Sequence, residues 1–267
     1  KNSLMPEKIR RIALGLEYQG TNYFGLQKQK TTDQTIQGLL EVALSSVSNE
    51  TIKTFSCGRT DSGVHAYGQV VHFDTCASRK EQEWVRGGNS LLPGDIVILW
   101  AKEVDNDFHA RFSTLSRTYR YIIRNTAVPS ALWGNRSLWI NQDLDINAMR
   151  RASKFLLGEK DFSSFRGSGC QSNSPVREIT DIKIAKQNEF VSIDVTANSF
   201  LLNMVRIIVG TLILVGQKDI TASKLNSIVE SKDRRLSGKT VSADGLYFIG
   251  PQYPQQFKIP SIENSVA

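Results

Sequence analysis

Cys57 to Val70 reads CGRTDSGVHAYGQV and sets one carboxylate, Asp61, among Arg59, Thr60, Ser62, two glycines and His65. Such neighbours are small, flexible or hydrogen-bonding, so the segment reads as a connection. Within it Asp61 fits three roles: turn residue, metal ligand or nucleophile. Phe55 to Cys57 enters the segment and Val70 to Thr75 leaves it as a strand, which puts the acid between two strands. Upstream, Ile9 to Tyr18 alternates apolar and polar residues like a strand. A glycine-punctuated loop, QGTNYFGLQKQK, follows, and Thr35 to Val47 then carries Ile36, Leu39, Leu40, Ala43, Leu44 and Val47 at helical spacing, with Thr32 or Asp33 as N-cap.

Downstream, a helix is expected from Lys80 to Leu92, stopped by Pro93 and Gly94, and a strand from Ile96 to Val104. The pattern then repeats in kind: a strand at Arg117 to Arg124, a helix at Ile146 to Leu157, strands at Ile179 to Ala185 and Phe190 to Ala197, and a long helix from Phe200. A last helix at Thr221 to Glu230 precedes the basic loop SKDRRLSGK and a strand at Leu246 to Gly250, and the tail after Pro251 is expected to lie extended on the surface. Strands joined by tight turns between helices imply an α+β class with antiparallel sheets. Two αβ domains are expected, residues 1–107 and 108–267.

The chain has 267 residues, enough for a substantial core, and a formal net charge of +7, which favours an anionic partner. Its three cysteines, Cys57, Cys76 and Cys170, lack the CxxC spacing of a zinc or redox site, and their odd number argues against a disulfide framework, so a reduced, cytoplasmic protein is expected. KNSLMPEKIRR has no apolar signal core. The one long apolar run, Phe200 to Gly216, is interrupted by Asn203 and Arg206, so no membrane insertion is expected.

Arg206 stands in FLLNMVRIIVG, a helix apolar on nearly every side and without an acid of its own. Burying an unpaired guanidinium costs several kcal/mol or more, so a carboxylate from elsewhere is expected to meet it, unless the side chain reaches solvent or caps a carbonyl. Asp61 is the natural partner: an arginine-paired aspartate stays ionised and oriented, which suits a nucleophile. Taken alone, a TDSG aspartate more commonly organises its own turn. Tyr119 and Tyr121, two residues apart in SRTYRYIIR, share a strand face, where core packing competes with stacking on a base. Phosphate-binding candidates are spread over Lys28, Lys30, Arg59, Arg79, Arg86, Arg111, Arg117, Arg166, Arg177, Lys232, Arg234, Arg235 and Lys239, a pattern closer to a cleft for folded nucleic acid than to a linear tail. His65, His72 and His109 have no metal-ligand spacing, the HxE…PCxxC pattern of zinc deaminases is absent, and neither GxGxxG nor GxxxxGK[ST] occurs. Neither metal nor cofactor is expected.

GRTDSGVHA with the VVHF that follows, FHARFSTLSRTYRY, FLLNMVRIIVG and ADGLYFIG, in this order, closely resemble the TruA family of tRNA pseudouridine synthases, from Ile9 to Gly250. The resemblance implies the pseudouridine-synthase α+β fold, two halves with antiparallel sheets and a positively charged cleft, working as a homodimer on tRNA without metal or cofactor. It implies conversion of uridine to pseudouridine at positions 38, 39 and 40 of the anticodon stem-loop, with attack on the sugar or on the ring's C6 both open. Asp61 would be the nucleophile, Tyr119 the tyrosine beside the target base, Arg206 the arginine holding the aspartate, Arg59 the residue that helps flip the base, and Leu246 a packing surface for uracil. Phe108, His109, Ala110, Arg111 and Phe112 (FHARF) and Gly169, Cys170, Gln171, Ser172 and Asn173 (GCQSN) look like tRNA-contacting stretches, with Arg79 another contact. One departure is Leu26 in YFGLQKQ, where the family pattern has tryptophan. The rival reading is a non-catalytic tRNA-binding or RNA-chaperone module, which two small αβ halves with exposed aromatics and arginines also fit.

Overall fold

The computed structural model describes residues 8–260. The start of KNSLMPEKIRR and the last residues of the tail lie outside them. The chain divides into two compact units, one made of the residues to Leu115 together with those from Phe248, the other of Ser116–Tyr247. The sequence suggested a boundary at 107/108; the division falls at 115/116, and the stretch from Phe248 groups with the first unit. There Leu115 N donates to Gln252 O at 2.8 Å, and Tyr253 and Phe257 pack edge-on against buried Phe108 at 5.1 and 5.2 Å. This packing also corrects the extended tail: a strand runs to Gln252 and a short 3-10 turn follows at Gln255–Phe257.

In the first unit β1 (Arg10–Tyr18) lies between β3 (His65–Thr75) and β4 (Ile96–Val104), antiparallel to both, and β2 (Phe55–Ser56) pairs with β3. β3 starts at His65, earlier than its alternation suggested, because Ala66 already pairs with Tyr18. The helix α1 (Ile36–Ser48) buries Ile36, Leu40, Ala43 and Leu44. Its cap is Thr35, whose hydroxyl accepts from Gly38 N at 3.2 Å, and not Thr32 or Asp33. Its far end turns on Asn49 in the left-handed region at φ 59°. The helix α2 (Glu81–Leu91) opens where the Glu83 carboxylate accepts from Lys80 N, and it packs on α1 and β4. Its Trp84, fully buried, meets Phe73 edge-on at 5.0 Å.

In the second unit β5 (Ser116–Asn125), β9 (Phe190–Ala197), β8 (Val176–Gln187) and β7 (Gly158–Asp161) form an antiparallel ladder in that order, and β6 (Leu138–Ile140) runs parallel to β5. Alternation along β9 buries Val191, Ile193, Val195 and Ala197 on one face. The helices α3 (Ile146–Ser153), α4 (Met204–Gly216) and α5 (Ala222–Ser231) pack together, with α3 also against β8. β10 (Leu246–Gln252) then carries the chain from the second unit into the first. The short β6 and β7 carry no alternation long enough to read in advance. Two helices are shorter than expected: α3 tightens into a 3-10 turn at Lys154–Leu156, and α4 begins at Met204. The residues from Phe200 form a turn before it, because Asn203 adopts φ 59° and Met204 N closes on Leu201 O at 3.1 Å. The architecture is α+β with a mostly antiparallel sheet arrangement. No described helix is long and apolar enough to cross a membrane.

Candidate active site

Asp61 occupies the connection between β2 and β3, half-buried, and that connection is pinned from several directions within the first unit. Cys57 N donates to Val70 O at 2.8 Å and Gln69 Nε2 to Gly58 O at 3.0 Å, which close its base. Buried Tyr18 and Thr60 share a hydroxyl hydrogen bond at 2.7 Å. Burial pushes the Tyr18 phenol up to about 12, so it stays protonated. The connection after β1 wraps the other side. Leu26 N donates to Thr60 O at 3.1 Å, while Ser62 Oγ and Gly63 N donate to Tyr23 O at 3.1 and 3.4 Å. Gly63 itself sits at φ +81°. The Tyr23 hydroxyl donates to Asp95, and burial with that acceptor raises its pKa. Two glycines permit the close approach: a Cβ on Gly20 would stand 1.9 Å from Val64 O, and one on Gly25, at φ +87°, 2.7 Å from Thr60 O. Gly20 N also donates to Nδ1 of buried His65 at 3.1 Å, so that nitrogen carries no proton. Leu26 is 1% exposed, so the position that departs from the tryptophan pattern serves the core and, through its backbone, the Asp61 connection.

FHARF forms a turn joined to the same hairpin. Thr114 Oγ1 donates to Ala110 O at 2.8 Å and lies 3.5 Å from Cys57 Sγ. Ala110 N donates to His72 Nδ1 at 3.1 Å, and Arg111 N and Phe112 N donate to His109 Nδ1 at 3.1 and 3.3 Å. Phe55 stacks on His72 at 5.2 Å, His72 meets His109 at 4.5 Å, and His109 meets Phe112 at 4.3 Å. Phe112, 75% exposed, carries the Arg111 guanidinium 5.6 Å from its centroid. Arg11 holds Asp74 with two nitrogens at 2.7 and 2.8 Å and caps Phe108 O at 2.9 Å. FHARF is thus tied by hydrogen bonds to the hairpin that carries Arg59 and Asp61. Arg79, exposed and donating to Val47 O at 3.2 Å, lies past the far end of β3.

Burial, with His109 and Arg11 nearby, lowers the His72 pKa to about 4. The unfolded chain takes up this proton near pH 6.5 and the folded chain only near 4, so the unfolded state binds more protons between those values. Stability from His72 is therefore complete above about pH 6.5 and lost as pH falls toward 4, on the order of 2–3 kcal/mol. Urea midpoints measured from pH 7 to 4 are expected to fall accordingly. His72→Asn, whose amide oxygen can still accept from Ala110 N, is expected to flatten that fall; an unchanged slope would assign it to other groups.

In the second unit Tyr119, Gly169–Asn173 and Arg206 gather at the turn before α4. Tyr119, on β5 opposite Val195 and 9% exposed, packs edge-on against Phe200 at 5.1 Å. Gly167 N donates to Leu202 O at 2.8 Å, and Arg166 NH2 donates to Cys170 O and Ser172 O at 2.8 and 2.7 Å, shaping the Gly169–Asn173 loop. Burial opposes ionisation of the Cys170 thiol, but the Leu202 and Ser172 backbone and Arg166 outweigh it and lower its pKa. Arg206, half-buried, donates from Nε to Val241 O at 2.7 Å and from NH1 to Asn203 Oδ1 at 3.0 Å. The apolar helix therefore does not enclose the guanidinium, and a carbonyl and an amide meet it inside its own unit. Leu246, 5% exposed, follows the segment that Arg206 caps. Tyr121 is spent on structure: its hydroxyl donates to Ser242 O at 2.8 Å, and burial raises its pKa. Several phosphate candidates also have protein partners, Arg177 in Ser172 Oγ at 2.6 Å, Arg234 in Ser237 Oγ at 2.9 Å, and Arg235, still exposed, in Asp233 at 2.7 Å. Sequence reasoning missed the bracing residues Tyr18, Tyr23 and Thr60 and the cap Asn203; only the glycine-punctuated first loop hinted at them. Among the described residues no three of His, Cys, Asp and Glu are grouped to hold a metal ion.

Half-buried Asp61 on a braced loop, joined to a turn that displays rings and arginine, on a chain of net charge +7, is an arrangement that suits an anionic partner such as nucleic acid. A family model described as tRNA pseudouridine synthase matches residues 16–113 and 152–254. Curated relatives named tRNA pseudouridine synthase A are 46% identical in Hydrogenovibrio crunogenus over 94% of this chain and 95% of theirs, 47% in Coxiella burnetii over 94% and 96%, and 45% in Citrobacter koseri over 94% and 93%. The chain belongs to the tRNA pseudouridine synthase family, isomerases that act on tRNA.

Proposed function

We propose that the chain isomerises uridine at positions 38, 39 and 40 of the tRNA anticodon stem-loop, with Asp61 as the nucleophile. The observation that carries this reading is the bracing of the Asp61 connection. Hydrogen bonds from Tyr18, Leu26, Ser62 and Gly63 fix the loop on both sides of half-buried Asp61, which a residue needed only for its own turn does not require. In the route by attack on the sugar, the Asp61 carboxylate forms a bond to ribose C1′ as the bond between C1′ and uracil N1 breaks. The released uracil anion turns in place, C5 attacks C1′ and expels the carboxylate, the C5 proton leaves and N1 ends protonated, so atoms balance without an added reactant. Arg59 assists flipping, Tyr119 lies beside the base and helps remove the C5 proton, Leu246 packs against uracil, and Arg206 orients the nucleophile. Phe108–Phe112, Gly169–Asn173 and Arg79 hold the tRNA. The working form is a cytoplasmic homodimer; an odd number of cysteines, three, without a disulfide framework's spacing, fits a reducing compartment.

Transcripts with uridine at only one of the three positions, mapped for pseudouridine after incubation, test the assignment. Product at each of the three supports it. Product elsewhere in the tRNA, with none at these sites, would overturn it.

A further inference from the structure

Phe24 lies between Tyr23 and Gly25, both buried, yet its own side chain is 54% exposed. Its backbone is fixed: Phe24 N donates to Gln34 O at 3.0 Å, and Gln29 Nε2 donates to Phe24 O at 2.7 Å. The residue before it accepts from Ser62 and Gly63, and the residue after it stands against the Thr60 carbonyl. A large apolar ring is thus held in water one residue away from two direct contacts with the Asp61 connection. Single exposed apolar side chains are ordinary on a protein surface. What distinguishes Phe24 is its fixed backbone, its place, and the exposed Lys28 and Lys30 that follow on the same connection, Lys28 also standing 3.7 Å from Glu41 Oε2. Ring and cations on one fixed loop suit unpaired nucleotides: every base offers a π-face, and ammonium groups meet the phosphates alongside. Flipping a uridine out of a stack uncovers the face of its neighbour.

We propose that Phe24 stacks on an unpaired tRNA base next to the reacting uridine, with Lys28 and Lys30 meeting the adjoining phosphates. The proposal rests on Asp61 being the reacting carboxylate. Its test compares Phe24→Ala, Phe24→Leu and Phe24→Trp, each in the otherwise native chain and in the Asp61→Asn chain, where binding is read without turnover. The probes are an unmodified tRNA transcript and a fully paired RNA hairpin. Phe24→Ala is expected to raise Kd and KM for the tRNA about tenfold or more, Phe24→Leu less, and Phe24→Trp hardly at all, with thermal midpoints unchanged and the paired hairpin indifferent. Equal affinity for all variants would overturn the proposal, as would a loss that tryptophan fails to rescue or one that the hairpin shares. Failure of the Asp61 reading would show separately, as turnover by the Asp61→Asn chain.

Discussion

Asp61→Asn is expected to abolish tritium release from tRNA labelled at uracil C5, lowering kcat on the order of 10⁴-fold or more, while tRNA affinity stays within a few-fold of the unaltered chain. The substitution keeps the shape of the side chain and removes its charge and nucleophilicity. The loop should survive it, because the bonds to Tyr18, Tyr23 and Leu26 come from Thr60, Ser62 and Gly63. The Asp61 backbone carbonyl also accepts from Val64 N at 3.2 Å, a bond that the amide variant retains. A lower thermal midpoint or lost binding would instead make Asp61 a loop organiser. Near-normal turnover by a folded Asp61→Asn chain would end its assignment as nucleophile.

Arg206→Met is expected to lower both activity and stability, by separable amounts. Methionine replaces the stem but donates nothing, so Val241 O loses its 2.7 Å partner and Asn203 Oδ1 its 3.0 Å partner. An unpaired, partly buried carbonyl costs about 1–3 kcal/mol, to be read as a lower urea midpoint. If the guanidinium also orients the nucleophile, kcat per folded molecule falls by a further 10²–10³ or so, the scale for loss of one preorganised charged donor. Arg206→Lys keeps the charge but cannot serve both acceptors from a planar fork, and should recover part of each loss. A stability loss with an unchanged rate per folded molecule would confine Arg206 to the segment it caps.

Much of this was legible in local sequence. Alternation in β1 and β9 and the helical spacing of α1 follow from burial of one face, and that face repeats along neighbouring residues. Asn203 shows where such reasoning stops: FLLNMVRIIVG is apolar on nearly every side and reads as one helix, but the left-handed Asn203 ends the turn before Met204. The tail is a second case, since nothing near Tyr253 or Phe257 announces that Phe108 is their partner.

By itself, then, the chain's ordered motifs determined its family, and its local patterns determined the α+β class, the strand–loop–strand setting of Asp61 and the candidate residues. Tertiary structure alone decided what holds those candidates: Tyr18 on Thr60, Tyr23 on Ser62 and Gly63, His72 on the FHARF turn, and Val241 on Arg206. The physical reason is that periodicity records which face of an element is buried. A hydrogen bond between residues far apart in the chain depends on where two folded elements come to rest, and no local pattern carries that.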